Sequence, residues 1–185
     1  MRAVPTAIRS VTDDSGNGLE RWHPQPSQVV GPAVAYVVTD MLKGVVKRGT
    51  GRKAQALGRP VAAKTGTTDD AQDAWFIGYS PQLVAGVWVG YDEHRSLGSH
   101  ATGGEVAAPI WVDFMKKALT GKPPLDFPPP EGVVLRSVDA HTGLLAAPEC
   151  RDVITEAFVQ GTEPSRYCSH DGVPPVESPK EGEEF

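Results

Sequence analysis

The run Ala62-Ala63-Lys64-Thr65-Gly66-Thr67-Thr68 puts an ammonium group, hydroxyls and a residue without a side chain on one short, extended segment. Side chains alternate along a strand, so Lys64 and Gly66 face one way and Thr65 and Thr67 the other. At a sheet edge bordering a cleft, the threonine hydroxyls can donate to a carboxylate while Lys64 supplies positive potential. Gly66 leaves room for a second backbone to approach. An edge N–H at Thr67 can donate to an oxygen that gains negative charge during acyl transfer, an interaction typically worth ~3–4 kcal/mol. The chemistry expected is therefore capture of a peptide-like anion beside a reacting carbonyl. Taken alone, Lys-Thr-Gly also reads as a surface lysine before a turn.

The elements around this segment can be read from patterning. Ala7 to Val11 and Leu19 to Trp22 are β-leaning runs around Asp13-Asp14-Ser15-Gly16-Asn17-Gly18, and the Asn17-Gly18 pair between them predicts a hairpin. Pro24-Gln25-Pro26 reads as a linker, after which Gly31-Pro32 opens a helix. Val34, Val37, Val38, Met41, Leu42, Val45 and Val46 give that helix one apolar stripe, and Lys47-Arg48-Gly49-Thr50-Gly51 ends it. Val61 to Thr67, Ala74 to Tyr79 and Leu83 to Tyr91 read as three strands whose short links imply an antiparallel meander. His94 to Gly104 is a loop. Glu105 to Leu119 reads as a second helix, with Val106, Ile110, Trp111, Phe114, Met115 and Ala118 on its buried stripe and Pro109 near its start. Trp75, Trp88 and Trp111 are expected to pack in the sheet or core. Beyond Thr120 come a proline-rich spacer and a small hairpin from Val133–Val138 to Leu144-Leu145-Ala146, turning at Asp139 to Gly143. The Pro-, Glu- and Ser-rich end from about Ser169 is expected to be disordered.

Composition excludes several classes. With 185 residues and 39% hydrophobic content the chain can build a core. A net charge of −5 argues against a nucleic-acid partner, which needs a basic face. No apolar run approaches the ~20 residues that span a bilayer, and no apolar segment follows Met1 as an export signal would require. Cys150 and Cys168 lack the spacing of zinc or redox motifs, so a disulfide and two free thiols both stay open. The five histidines (His23, His94, His100, His141 and His170) form no helical pair suited to a metal, and neither a metal nor an organic cofactor is expected.

From Pro32 to Leu119 the chain closely resembles the end of the transpeptidase domain of class A penicillin-binding proteins, the bifunctional peptidoglycan synthases. The matching runs are Val45 to Gly51, Gly58-Arg59-Pro60-Val61 through Thr68, and Asp73-Ala74-Trp75-Phe76-Ile77-Gly78-Tyr79. Val87-Trp88-Val89-Gly90-Tyr91-Asp92 and Thr102-Gly103-Gly104 through Trp111 complete them. The resemblance implies an α+β fold, an antiparallel sheet flanked by helices of the penicillin-binding-protein and serine β-lactamase kind, present here in part. It implies residues 1–120 as the C-terminal portion of that domain, 121–168 as a small appendage, and 169–185 as an acidic tail. It implies a substrate, the D-Ala-D-Ala end of a peptidoglycan stem peptide or a β-lactam that mimics it. Lys64 would serve the electrostatics and proton traffic of the serine sites. Thr65 and Thr67 would hold the terminal carboxylate beside Gly66, and the Thr67 N–H would form half of the oxyanion hole. Trp75, Thr102, Gly103 and Gly104 would shape the neighbouring wall. A location on the extracytoplasmic side of a bacterial inner membrane follows from the same resemblance.

The family's other signatures are Ser-x-x-Lys and Ser-Asp-Asn or a relative. No serine in this sequence has a lysine three positions later. Ser15-Gly16-Asn17 matches the second as a string, but it lies in the expected turn, where the turn explains it. The expectation is a piece of a larger transpeptidase, inactive alone and exposing apolar surface. A non-catalytic module that binds peptidoglycan or a partner is the alternative. A stand-alone β-lactamase would need the same missing serine. Gly58 to Thr65 also approaches a phosphate-binding loop, with Ala63 in place of a required glycine, but that loop must open a helix, and another strand is expected here.

Overall fold

Asp13 organises the first pair of strands. In this computed structural model, which describes residues 7–23 and 27–169, β1 (Ser10–Thr12) pairs antiparallel with β2 (Gly18–Arg21). The Asp13 carboxylate accepts the N–H groups of Ser15 (3.0 Å) and Asn17 (2.7 Å) and the Asn17 side-chain amide (2.9 Å). Gly16 takes the left-handed conformation, with φ +83°. The hairpin forms as expected and its connection lies within Asp13 to Gly18; the loop is closed by the Asp13 carboxylate, and Gly18 already belongs to β2. The Pro24-Gln25-Pro26 linker falls outside the described residues.

Helix α1 (Pro32–Arg48) begins on its proline and ends on Lys47 and Arg48, cations favourable beside C-terminal carbonyls. Its expected stripe is only partly covered. Gly44 and Val46 are buried, Val46 in the core cluster with Ala54, Val61 and Ala63, while Val34, Val38 and Met41 stay exposed. A 3-10 turn, Arg52–Leu57, follows, and Gln55 donates its amide to the Val46 and Lys47 carbonyls that α1 leaves unpaired.

The central sheet is the expected meander. β3 (Ala62–Thr67), β4 (Asp73–Ser80) and β5 (Leu83–Gly90) are antiparallel in the order β3-β4-β5, with Gly66 opposite Trp75 and Trp75 opposite Trp88. One face is packed. Ala63, Ala74 and Phe76 are buried beneath α2 (Ala108–Ala118). The Trp111 indole lies 5.2 Å from the Phe76 ring and donates to the Ala85 carbonyl at 3.0 Å. The opposite face carries exposed Trp75, Ile77, Val84 and Trp88.

A single π-turn, Gly103–Ala107, leads into α2, so the regular helix begins at Ala108 rather than Glu105. Its buried side is Ala108, Trp111, Val112 and Met115, continued by Leu119. Ile110 and Phe114, expected inside, are 52% and 51% exposed. Two overlapping stripes are available in this sequence, and the anchored Trp111 ring decides which one turns inward.

The proline-rich stretch lies back on the body of the molecule, Phe127 edge-on to Tyr79 at 5.7 Å and Asp126 paired with Lys43 at 3.5 Å. Beyond it, β6 (Val133–Asp139) pairs along its length with β7 (Val153–Val159). The expected return at Leu144 to Ala146 also forms, though short: Leu145 bridges Val138 antiparallel, with the Asp139 N–H on the Leu144 carbonyl and the Ala146 N–H on the Ser137 carbonyl, both at 2.9 Å, so β7 is a partner added to the expected one. The expected turn at Asp139 does form, capped by Asp139 and passing through Gly143 at φ +67°. Cys150 and Cys168 are joined in a disulfide. The ribbon is tied to α1 by the Ala157 N–H on the Asp40 carboxylate (3.1 Å) and by an Arg48–Glu156 ion pair. The tail from residue 170 lies outside the described residues.

Candidate functional site at the rim strand

The segment 64–67 runs extended along the edge of the three-stranded sheet, paired among the described residues only with β4. It does not open a helix, which removes the phosphate-loop reading: β3 gives way to a short 3-10 turn at Asp69–Ala71 and then to β4. The Thr68 N–H points inward to the Asp73 carbonyl at 3.0 Å. Because N–H directions alternate along a strand, the Thr67 N–H points outward, to the unpaired edge.

Thr65 and Thr67 share the face on which α2 lies, and Lys64 and Gly66 share the other. Each threonine hydroxyl already has one partner. Thr65 Oγ1 lies 2.7 Å from Thr50 Oγ1, just beyond the end of α1, and Thr67 Oγ1 accepts the Gly103 N–H at 3.2 Å. A hydroxyl that accepts a hydrogen bond keeps its own proton to donate. Thr67 is exposed, so that donor is reachable. The Lys64 ammonium is also exposed and rests on the neighbouring Thr65 carbonyl at 2.9 Å.

The Thr102-Gly103-Gly104 segment comes to this strand as expected, and its composition is dictated by contact. A Cβ on Gly103 would stand 2.1 Å from the Trp75 carbonyl oxygen and 2.7 Å from that of Gly66. A Cβ on Gly104 would stand 2.6 Å from the Thr50 carbonyl oxygen. Only glycines allow these backbones to meet. Trp75 lies on the opposite face, beneath Gly66, with its ring 6.4 Å from Trp88. Of the three tryptophans expected to pack, only Trp111 is fully buried, while Trp75 and Trp88 are each 43% exposed.

Asp73 belongs to the support of the strand. It accepts the Trp88 indole N–H at 2.7 Å, and its own N–H donates to Thr68 Oγ1 at 2.8 Å. The loop after β5 holds the turn after β3, with the Ser96 hydroxyl on the Asp70 carbonyl (2.6 Å) and the Leu97 N–H on the Ala71 carbonyl (2.8 Å). Asp70 and Ala71 are both left-handed there, at φ 56° and 51°. His94 of that loop pairs with Gln72. Ser15 and Asn17 are engaged in the Asp13-capped loop, as turn chemistry requires. Sequence reading missed Thr50 as a contact of Thr65 and Trp88 as the partner of Asp73. The run Gly49-Thr50-Gly51 was visible, but only the fold brings it to β3. No helix of the described residues is long and apolar enough to cross a membrane.

Comparison with known proteins identifies the family and the fold. The family described as "Penicillin binding protein transpeptidase domain" matches residues 2–116, and "Penicillin-binding protein 1A, C-terminal domain" matches residues 129–172. The chain is 46% identical over 166 residues to Penicillin-binding protein 1A of Aquifex aeolicus, covering 89% of this chain and 23% of that protein. It is 44% identical over 147 residues to the Pseudomonas aeruginosa protein of the same name, covering 78% of this chain and 18% of that one. The crystal structure of Penicillin-binding protein 1A from Haemophilus influenzae superposes with a TM-score of 0.76 at 26% identity, covering 90% of this chain and 30% of the other. The chain therefore spans about a quarter or less of the curated relatives it matches. A short strand at a sheet edge, cradled by glycines and carrying Lys-Thr-Gly-Thr, thus sits in a chain that belongs to the penicillin-binding protein transpeptidase family.

Proposed function

We propose that this chain supplies the carboxylate-binding and oxyanion-binding strand of a peptidoglycan D,D-transpeptidase, with residues 1–120 as the C-terminal portion of its transpeptidase domain and 121–168 as an appendage. The stem peptide's terminal D-Ala carboxylate lies along the rim, taking the free hydroxyl protons of Thr65 and Thr67. Gly66 leaves room for the peptide backbone. The Thr67 N–H donates to the carbonyl oxygen that becomes an oxyanion, and Lys64 adds positive potential toward the serine machinery. Trp75, Thr102, Gly103 and Gly104 hold the strand and border the site. Acylation of a serine outside this sequence releases D-alanine, and an amine of a neighbouring stem peptide then takes the acyl group. β-Lactams bind as mimics of the donor. The reaction proceeds on the extracytoplasmic side of a bacterial inner membrane. The observation that carries the reading is the outward Thr67 N–H on an unpaired edge, flanked by the Thr65 and Thr67 hydroxyls.

Penicillin followed by intact-mass spectrometry tests it. The 185-residue chain is expected to gain no acyl adduct, whereas the complete gene product, read from an in-frame upstream Ser-x-x-Lys, is expected to gain one. A stoichiometric adduct on any serine of the chain itself contradicts the proposal, as does a complete product that is never acylated. The alternative, a non-catalytic binding module, has the missing nucleophile in its favour and predicts that second outcome.

A further inference from the structure

The geometry points to Thr50 as a positioning residue that sets the Thr65 hydroxyl to donate to the substrate carboxylate, a role resting on the proposed reading of the rim strand. Thr50 Oγ1 and Thr65 Oγ1 are 2.7 Å apart, and either can donate. Each hydroxyl has one proton. Once Thr65 gives its proton to an anion at the rim, the proton between the two oxygens has to come from Thr50. The anion thereby selects one direction for a two-hydroxyl relay, and each bond of such a chain polarises the next.

Thr50 is held where this is useful. The N–H groups of Gly49 and Gly51 on either side of it both bond to the Val45 carbonyl, at 3.0 and 3.1 Å, which fastens its backbone to the last turn of α1. Its carbonyl side is closed by Gly104, where a Cβ would stand 2.6 Å from the Thr50 oxygen. Thr67 is served in parallel by a backbone donor, the Gly103 N–H. The two rim hydroxyls thus have different supports, and only that of Thr65 depends on a side chain that can be exchanged.

The test measures acylation rates of the complete gene product with benzylpenicillin and with its carboxylate methyl ester. Thr50→Val keeps the shape and removes the hydroxyl. It is expected to slow the free acid about five- to tenfold, the effect of one lost hydrogen bond between neutral hydroxyls, and to leave the ester unchanged. Thr50→Ser is expected to retain the wild-type preference for the acid. Adding Thr50→Val to Thr65→Val is expected to produce no further loss. If Thr50→Val does not fold, Thr50→Ala gives the same comparison without added bulk. Equal slowing of acid and ester, or no slowing, overturns the positioning role. A wild-type protein with no preference for the acid, or a Thr65→Val variant that keeps the full wild-type preference, overturns instead the carboxylate reading beneath it, and the role of Thr50 with it.

Discussion

The rim strand and the C-terminal ribbon are both two-sided strands beside α1, yet they are fixed by opposite means. Around β3 the fixing is done by backbone. Gly103 and Gly104 are seated where any side chain would strike a carbonyl, and the Gly103 N–H reaches Thr67. Around β6 and β7 it is done by side chains and a covalent bond: the Cys150–Cys168 disulfide, the Asp139-capped turn and the Arg48–Glu156 pair. Backbone-to-backbone seating holds the Thr67 N–H to a defined direction and leaves its outer edge free. The ribbon needs only to stay attached. An edge seated by close backbone contact therefore tolerates less change per residue than the ribbon beside it.

Exchanging one atom group in each region breaks or sharpens this contrast. Gly103→Ala carries the largest expected effect, because its Cβ would meet two carbonyl oxygens of the central sheet. A loss of about 3 kcal/mol or more is expected in chemical denaturation. A loss under about 1 kcal/mol, the scale of a permissive site, contradicts the close seating.

Next is the ribbon. Replacing Cys150 and Cys168 together by Ser opens a crosslink of sequence separation 18, with an expected loss of about 2–4 kcal/mol. In hydrogen exchange the loss should appear in β6 and β7 while protection in β3 to β5 is unchanged. Equal loosening of both sheets would mean that the regions are one cooperative unit.

The smallest effect is the pH dependence of the ribbon. His141 is raised above its ordinary value by its hydrogen bond to Asp152 and by the charge of that carboxylate. Its stabilisation is complete below the ordinary imidazole value of 6.5 and is lost as pH rises through the raised folded value. Asp139 is lowered by the Thr142 N–H and hydroxyl, so its contribution is present above 3.8 and is lost as pH falls through the lower folded value. Amide exchange in β6 and β7 should therefore quicken slightly above the His141 titration and again in acid, and His141→Gln should abolish only the first change. A ribbon whose exchange shows neither step contradicts these assignments.

Much of this is legible in the sequence. The meander from Ala62 to Gly90 could be read because its strands are short, its links shorter, and Lys64 to Thr67 carries its own chemistry. Helix α1 was legible from Pro32 to its terminal cations. What failed did so where competing local solutions exist. The first hairpin was legible, but not that Asp13 closes its loop, since the three donors its carboxylate takes meet only in the folded turn. Ile110 and Phe114 lie on a stripe as periodic as the buried one, and Trp111 breaks the tie through a contact no periodicity encodes. Val153 to Val159 alternates well enough to read as a strand, but Leu144 to Ala146 lies nearer β6 in sequence. The Thr50–Thr65 contact joins residues fifteen apart through a tertiary approach, which spacing alone does not reveal.

The most direct test is a crystal structure of the complete gene product acylated by penicillin. The expected result has the drug's carboxylate within hydrogen-bond distance, about 2.5–3.0 Å, of the Thr65 and Thr67 hydroxyls, with the acyl oxygen on the Thr67 N–H. A carboxylate held elsewhere, or an acyl oxygen that ignores the edge amide of Thr67, would contradict a substrate-binding rim at residues 64–67.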